Sequence, residues 1–66
     1  MVYRYYSTQR PIGPGAIPKG ARDVYHFDGR VYVKSINRMA YGIAEYDREL
    51  TEDEVRQYEL VKEVGR

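Results

Sequence analysis

AYGIAEYDRELTEDEVRQYEL, residues 40–60, is the stretch whose reading decides the fold. Residues 40–47 read as a strand, with Tyr41 and Ile43 on one face and Gly42, Ala44 and Tyr46 on the other. Small residues at 42 and 44 imply that something packs closely against that face. A polar corner then leads into a helix whose start is over-determined. Thr51 is placed as N-cap with Glu54 at N3, a capping box in which each side chain satisfies the other residue's backbone donor. Leu50 and Val55 flank it as a hydrophobic staple, and Glu52, Asp53 and Glu54 put negative charge on the positive end of the helix dipole. The expected helix runs from 52 to Tyr58 or Val61, burying Val55, Tyr58 and Val61, with Gly65 as its stop.

Working outward, residues 2–8 read as a first strand, Tyr3 and Tyr5 facing one way and Val2, Arg4 and Tyr6 the other. Residues 10–22 hold all three prolines and three of the six glycines, which excludes helix and continuous ladder. A loop this long needs apolar anchors, and Ile12 and Ile17 are the candidates. Residues 23–27 form a second strand. Asp28-Gly29, between Val24-Tyr25-His26-Phe27 and Arg30-Val31-Tyr32-Val33, signals a type I′ hairpin and a third strand over 30–34. Asp28 as an N-cap, with Val33, Ile36 and Ala40 at helical spacing, is the competing reading, so strand or helix over 29–37 stays open. The expected fold is α+β: one small domain over 1–66, an antiparallel sheet of three to four strands with one C-terminal helix across it.

Composition narrows the function. With 66 residues the chain is close to the lower limit for an unstapled apolar core, and it lacks cysteine, so disulfides and thiolate metal sites are excluded. No apolar run approaches a membrane span, and Met1 leads straight into Val2-Tyr3-Arg4 instead of a signal peptide; a cytoplasmic location is expected. Eight tyrosines accompany one Phe and no Trp. They suit a small core with a wet rim, or a stacking and docking surface. Net charge is +1, yet residues 1–38 carry +5 and residues 39–66 carry −4. Pairing between the halves is the favoured reading, a dipolar surface the other.

Catalysis finds little support. His26 is the single histidine and has no carboxylate partner at a converging spacing; an enzyme would need a pocket that gathers the two. Glu45, Asp47 and Glu49 alternate but lack the glycine and ligand order of a calcium loop. Gly13-Pro14-Gly15 with Lys19-Gly20 lacks the Gly-Lys-Ser/Thr of a phosphate loop, and Pro11-Ile12-Gly13-Pro14 is a bare PxxP. No cofactor, metal or small-molecule substrate is expected. Basic and aromatic residues interleave at Tyr3, Arg4, Tyr5, Arg10, Lys19, Arg22, Tyr25, Arg30 and Tyr32, which form the candidate interaction surface. Cations neutralise phosphates and aromatic rings stack on bases, so single-stranded nucleic acid is one partner class. The acidic helix opposes it, and a protein partner or self-association is preferred.

Tyr6-Ser7-Thr8-Gln9-Arg10-Pro11, Phe27-Asp28, Ala40-Tyr41-Gly42, Glu45-Tyr46, Leu50-Thr51 and Tyr58-Glu59-Leu60 together resemble a family of short bacterial proteins found near phage and conjugative elements. The resemblance spans nearly the whole chain. Departures are Tyr41, where the family more often has Trp, and Glu49, where it more often has Pro. What the resemblance implies is an accessory protein of a mobile element, with no activity and no site residue to transfer. The overall expectation is a non-catalytic interaction protein.

Overall fold

A computed structural model describes residues 2–13 and 15–63. Four strands and one helix follow in the order β1 (Tyr3–Ser7), β2 (Asp23–Val33), β3 (Arg38–Tyr46), α1 (Glu52–Gln57) and β4 (Leu60–Lys62). They form one antiparallel sheet in the spatial order β2-β3-β1-β4. This order makes β1 and β2 parallel to each other with β3 between them, and β3 and β4 parallel with β1 between them. Each of these pairs requires a chain crossover. Residues 8–22 make the first and residues 47–59, which include α1, the second.

Both crossovers lie on the same side of the sheet. Strand alternation puts Tyr3, Tyr5, Ser7, Gly42, Ala44 and Tyr46 on one face. Ile12 and Ile17 descend onto that face from the first crossover, Leu50 and Val55 from the second. Tyr5, Ala44, Tyr46, Leu50 and Leu60 are the buried cluster, with Tyr3, Ile17, Ala21, Val55 and Tyr58 packed against it. Tyr5 and Tyr46 meet edge-to-face at 6.0 Å. Their hydroxyls pin one crossover each: Tyr46 donates to the Pro18 carbonyl at 2.6 Å, and Tyr5 accepts from the Leu50 amide at 2.9 Å. Tyrosine therefore supplies both the apolar bulk of the core and the polar ties to its lid.

Gly42 and Ile12 behave as anticipated. A Cβ on Gly42 would stand 2.5 Å from the Tyr25 carbonyl oxygen and 2.9 Å from Ile12 Cδ1, so the close packing inferred from the small residues of β3 is real. The capping box is complete, with Glu54 N donating to Thr51 Oγ1 at 3.1 Å and Thr51 N to Glu54 Oε1 at 2.9 Å.

Two expectations are corrected. Asp28-Gly29 does not close a hairpin between 23–27 and 30–34. His26 pairs with Gly42 and Val31 with Ala40, so residues 27–30 stand opposite Tyr41 alone as a wide bulge within one continuous strand. Gly29 does take the positive φ (+85°) that the motif needs. Residues 23–26 and 31–33 both pair with β3, so the ladder continues on either side of the bulge, and the turn falls at 34–37, with Asn37 at φ +58°. Residues 29–33 are thus strand, not helix. The helix, near the C-terminus, takes the shorter of its two expected extents and does not reach Val61: it has six residues, none of them fully buried, and is capped at Tyr58. Glu59 turns left-handed at φ +56°, and Leu60 and Val61 fill the open edge of β1 instead of extending the helix. Strands dominate the fold. Gly65, the expected stop, lies outside the described residues.

Candidate interaction surface

With both crossovers on the Tyr5 face, neither covers the opposite face of the sheet. Register places Tyr25, Ile43, Tyr6 and Val61 in one row across all four strands. A parallel row of charge runs beside it: Asp23, Glu45 and Arg4, with Glu63 beyond. Tyr6 is buried within its row, Ile43 and Val61 are half-buried, and Tyr25 is 46% exposed. Tyr41, half-buried, belongs to the same face. The result is an apolar, tyrosine-bearing band edged by carboxylates and one arginine.

The charge row is held together from the β1 side. Arg4 Nε donates to Glu45 Oε2 at 2.6 Å, and its Nη1 lies 3.5 Å from Glu63 Oε1. The carboxylates hold the Arg4 guanidinium charged, raising its pKa above the usual arginine value. Tyr25 donates its hydroxyl to Asp23 Oδ2 at 3.1 Å, which fixes the ring at the sheet edge and raises its phenol pKa.

The surface read from the sequence is dispersed by the fold. Arg4 and Tyr25 lie on the open face, and Tyr32 on its distal continuation. Tyr3 and Tyr5 point to the covered face, where Tyr5 is 1% exposed and Lys62 Nζ sits 5.5 Å from the Tyr3 ring centre. Arg10 is paired with Glu59 and Arg22 with Asp47. Lys19 sits in the first crossover, beside a cleft shared with Ile12, Ile17, Val24 and His26. Arg30 occupies the β2 bulge. Tyr41, Ile43 and Val61 were missed, although the alternation in 40–47 already set Tyr41 and Ile43 on one side.

Two clefts of the described structure have different chemistry. The cleft beside His26, about 480 Å³, brings no carboxylate to the imidazole among its described lining residues. The other, about 580 Å³, opens between the α1 crossover and the sheet, with Glu49, Glu52 and Glu59 near Arg38, Arg56 and Lys62. Its charges are largely matched: Lys62 contacts Glu49 at 2.5 Å and Arg10 holds Glu59. Among the described residues no group of three or more His, Asp or Glu is placed to hold a metal ion. Nor is any described helix long and apolar enough to cross a membrane.

Comparison with known proteins adds the following. Residues 1–64 match the family model described as "Defence against restriction A C-terminal". The chain is 37% identical over 60 residues to a protein of Escherichia phage P1 named "Defense against restriction protein A". That alignment covers 88% of this chain and 9% of the phage protein, so the chain spans under a tenth of its relative's length. No solved structure matches.

Proposed function

Because this chain belongs to the Defence against restriction A C-terminal family, we propose that it is a non-catalytic docking domain whose open sheet face binds a protein partner. Membership itself makes it a relative of a phage protein, in line with the mobile-element association that the sequence motifs implied. The observation that carries the docking reading is the row Tyr25–Ile43–Tyr6–Val61, which neither crossover covers, with Tyr41 beside it. Tyrosine at such a face presents a large rigid contact area with a hydrogen-bonding tip, the composition of an interface core. The flanking Asp23, Glu45, Arg4 and Glu63 supply a polar rim that sets register and excludes ill-matched partners.

The relative's name ties that protein to defence against restriction. Carried over, it points to a component of a host restriction system as the partner, met in the cytoplasm. The non-catalytic part of the reading is supported by the His26 cleft, where no described carboxylate is available to orient the imidazole as a base. The nucleic-acid alternative, as read from residues 3–32, draws on cations that the fold commits elsewhere: Arg4, Arg10 and Arg22 each face a carboxylate.

The test is capture from a restriction-proficient host lysate with the wild-type chain and with a Tyr25→Asp/Tyr41→Asp variant. A stoichiometric restriction-system protein retained by the first and lost by the second is the expected result. A monodisperse monomer that retains no stoichiometric partner overturns the proposal.

A further inference from the structure

Strand β1 supports β3 only from Gly42 to Tyr46. Beyond that point β2 and β3 continue as a two-stranded ribbon, residues 27–41, without a third strand. Its charge is unusual for this molecule. Arg4, Arg10, Arg22, Arg48, Arg56 and Lys62 all pair with carboxylates, whereas Arg30, Lys34 and Arg38, like Lys19 in the first crossover, form no ion pair with any described residue. These three lie on the ribbon, and Asp28 is the sole carboxylate there. Lys19 apart, the described cations without a carboxylate partner stand at this end.

Arg30 and Lys34 stand two positions to either side of Tyr32, whereas Arg38, opposite Val33 and next to Met39, points to the other side and lines the cleft with Glu49, Glu52 and Glu59. Tyr32 is 54% exposed and stands directly across from Met39, 37% exposed, on one side of the ribbon. The Tyr32 hydroxyl donates to the Asn37 side chain, so the ring is held from within the turn and keeps its orientation without a partner. A fixed aromatic ring with an apolar thioether neighbour, flanked along its strand by Arg30 and Lys34, matches phosphates spaced along a backbone with bases free to stack. An acidic protein would satisfy the cations and leave the ring unused. A duplex would offer phosphates and keep its bases stacked.

We propose that the β2–β3 ribbon binds single-stranded nucleic acid, Arg30 and Lys34 taking phosphates while Tyr32 and Met39 receive a base. This site lies apart from the Tyr25–Tyr41 docking face. Lys34, absent from the surface read in the sequence, is essential to it.

Fluorescence anisotropy with a labelled oligothymidylate of about a dozen nucleotides tests this on the full chain across a salt series. Two phosphate contacts predict a slope of log K against log salt of about −1.4. The Arg30→Gln/Lys34→Gln variant should flatten that slope. Tyr32→Ala should weaken binding about tenfold, and Tyr32→Phe much less, because the ring and not the hydroxyl stacks. Lys19→Gln should leave the slope essentially as in the wild type, and thermal melts confirm that each variant is folded. Absence of binding at low salt overturns the proposal. So does a blunt duplex bound as tightly as the single strand, or a polyglutamate peptide that competes equally. The Tyr25→Asp/Tyr41→Asp variant separates the two readings: it should keep oligonucleotide binding while losing the protein partner.

Discussion

At the scale of single residues, Gly42 and Tyr46 show how little slack the core has. Gly42→Ala would drive a methyl into the Tyr25 carbonyl, a backbone atom that cannot swing aside, and into Ile12. A loss of about 1–3 kcal/mol is expected in urea denaturation, the range for forcing an extra carbon into a packed site. Tyr46→Phe keeps the ring and removes the hydroxyl that serves the Pro18 carbonyl. That should cost about 1 kcal/mol in the same assay. Burial also pushes the Tyr46 phenol up to about 12 from an ordinary 10.0. Since the folded state disfavours the phenolate, this contribution is intact below about pH 10 and fades as pH rises through about 12. Tyr46→Phe should accordingly lose less stability than wild type between those limits, as read by the urea midpoint at each pH.

Among the elements, α1 is short and depends on its ends. Six residues cannot hold a helix by propagation, so the capping box and the Leu50 and Val55 contacts with the core carry it. Thr51→Ala should cost about 1 kcal/mol, measured by chemical denaturation. Glu54 is the second half of the device. Paired with Arg48 through both carboxylate oxygens at 3.0 Å, and bonded to the Thr51 amide, it titrates at about 2 instead of 4.5. A carboxylate depressed on folding stabilises above its unfolded value and ceases to do so as pH falls toward 2. Acid titration of the helix signal should therefore show a limb between about 4.5 and 2 that Glu54→Gln removes. The bulge in β2 is the element that misleads most. Asp-Gly carries the hairpin preference and Gly29 takes the hairpin φ, yet the strand continues, because the backbone on both sides of it, 23–26 and 31–33, is paired with β3.

At the scale of the whole molecule, the opposed charge halves meet in ion pairs: Arg4 with Glu45 and Glu63, Arg10 with Glu59, Arg22 with Asp47. They are not equivalent. The Glu45 side chain is 9% exposed and the Asp47 side chain 71%, so deleting Arg4 strands a nearly buried carboxylate while deleting Arg22 frees one into water. Arg4→Ala should lower the urea midpoint distinctly more than Arg22→Ala, and equal shifts would refute the distinction. The sequence by itself determined the pieces whose causes are local: the cap at Thr51, the faces of 40–47, the apolar anchors Ile12 and Ile17, and the imbalance of charge. Each depends on residues within a few positions of one another, or on bulk composition. Only the tertiary structure decided that both crossovers cover one face, that Leu60 and Val61 form a fourth strand, and which cations remain unpaired. Those outcomes depend on contacts across tens of residues, such as Arg10 with Glu59 and Thr8 with the Glu59 carbonyl, which no local pattern encodes. In this way residues 40–60 revealed the frame, while the bare sheet face and the basic ribbon emerged only once the frame was closed.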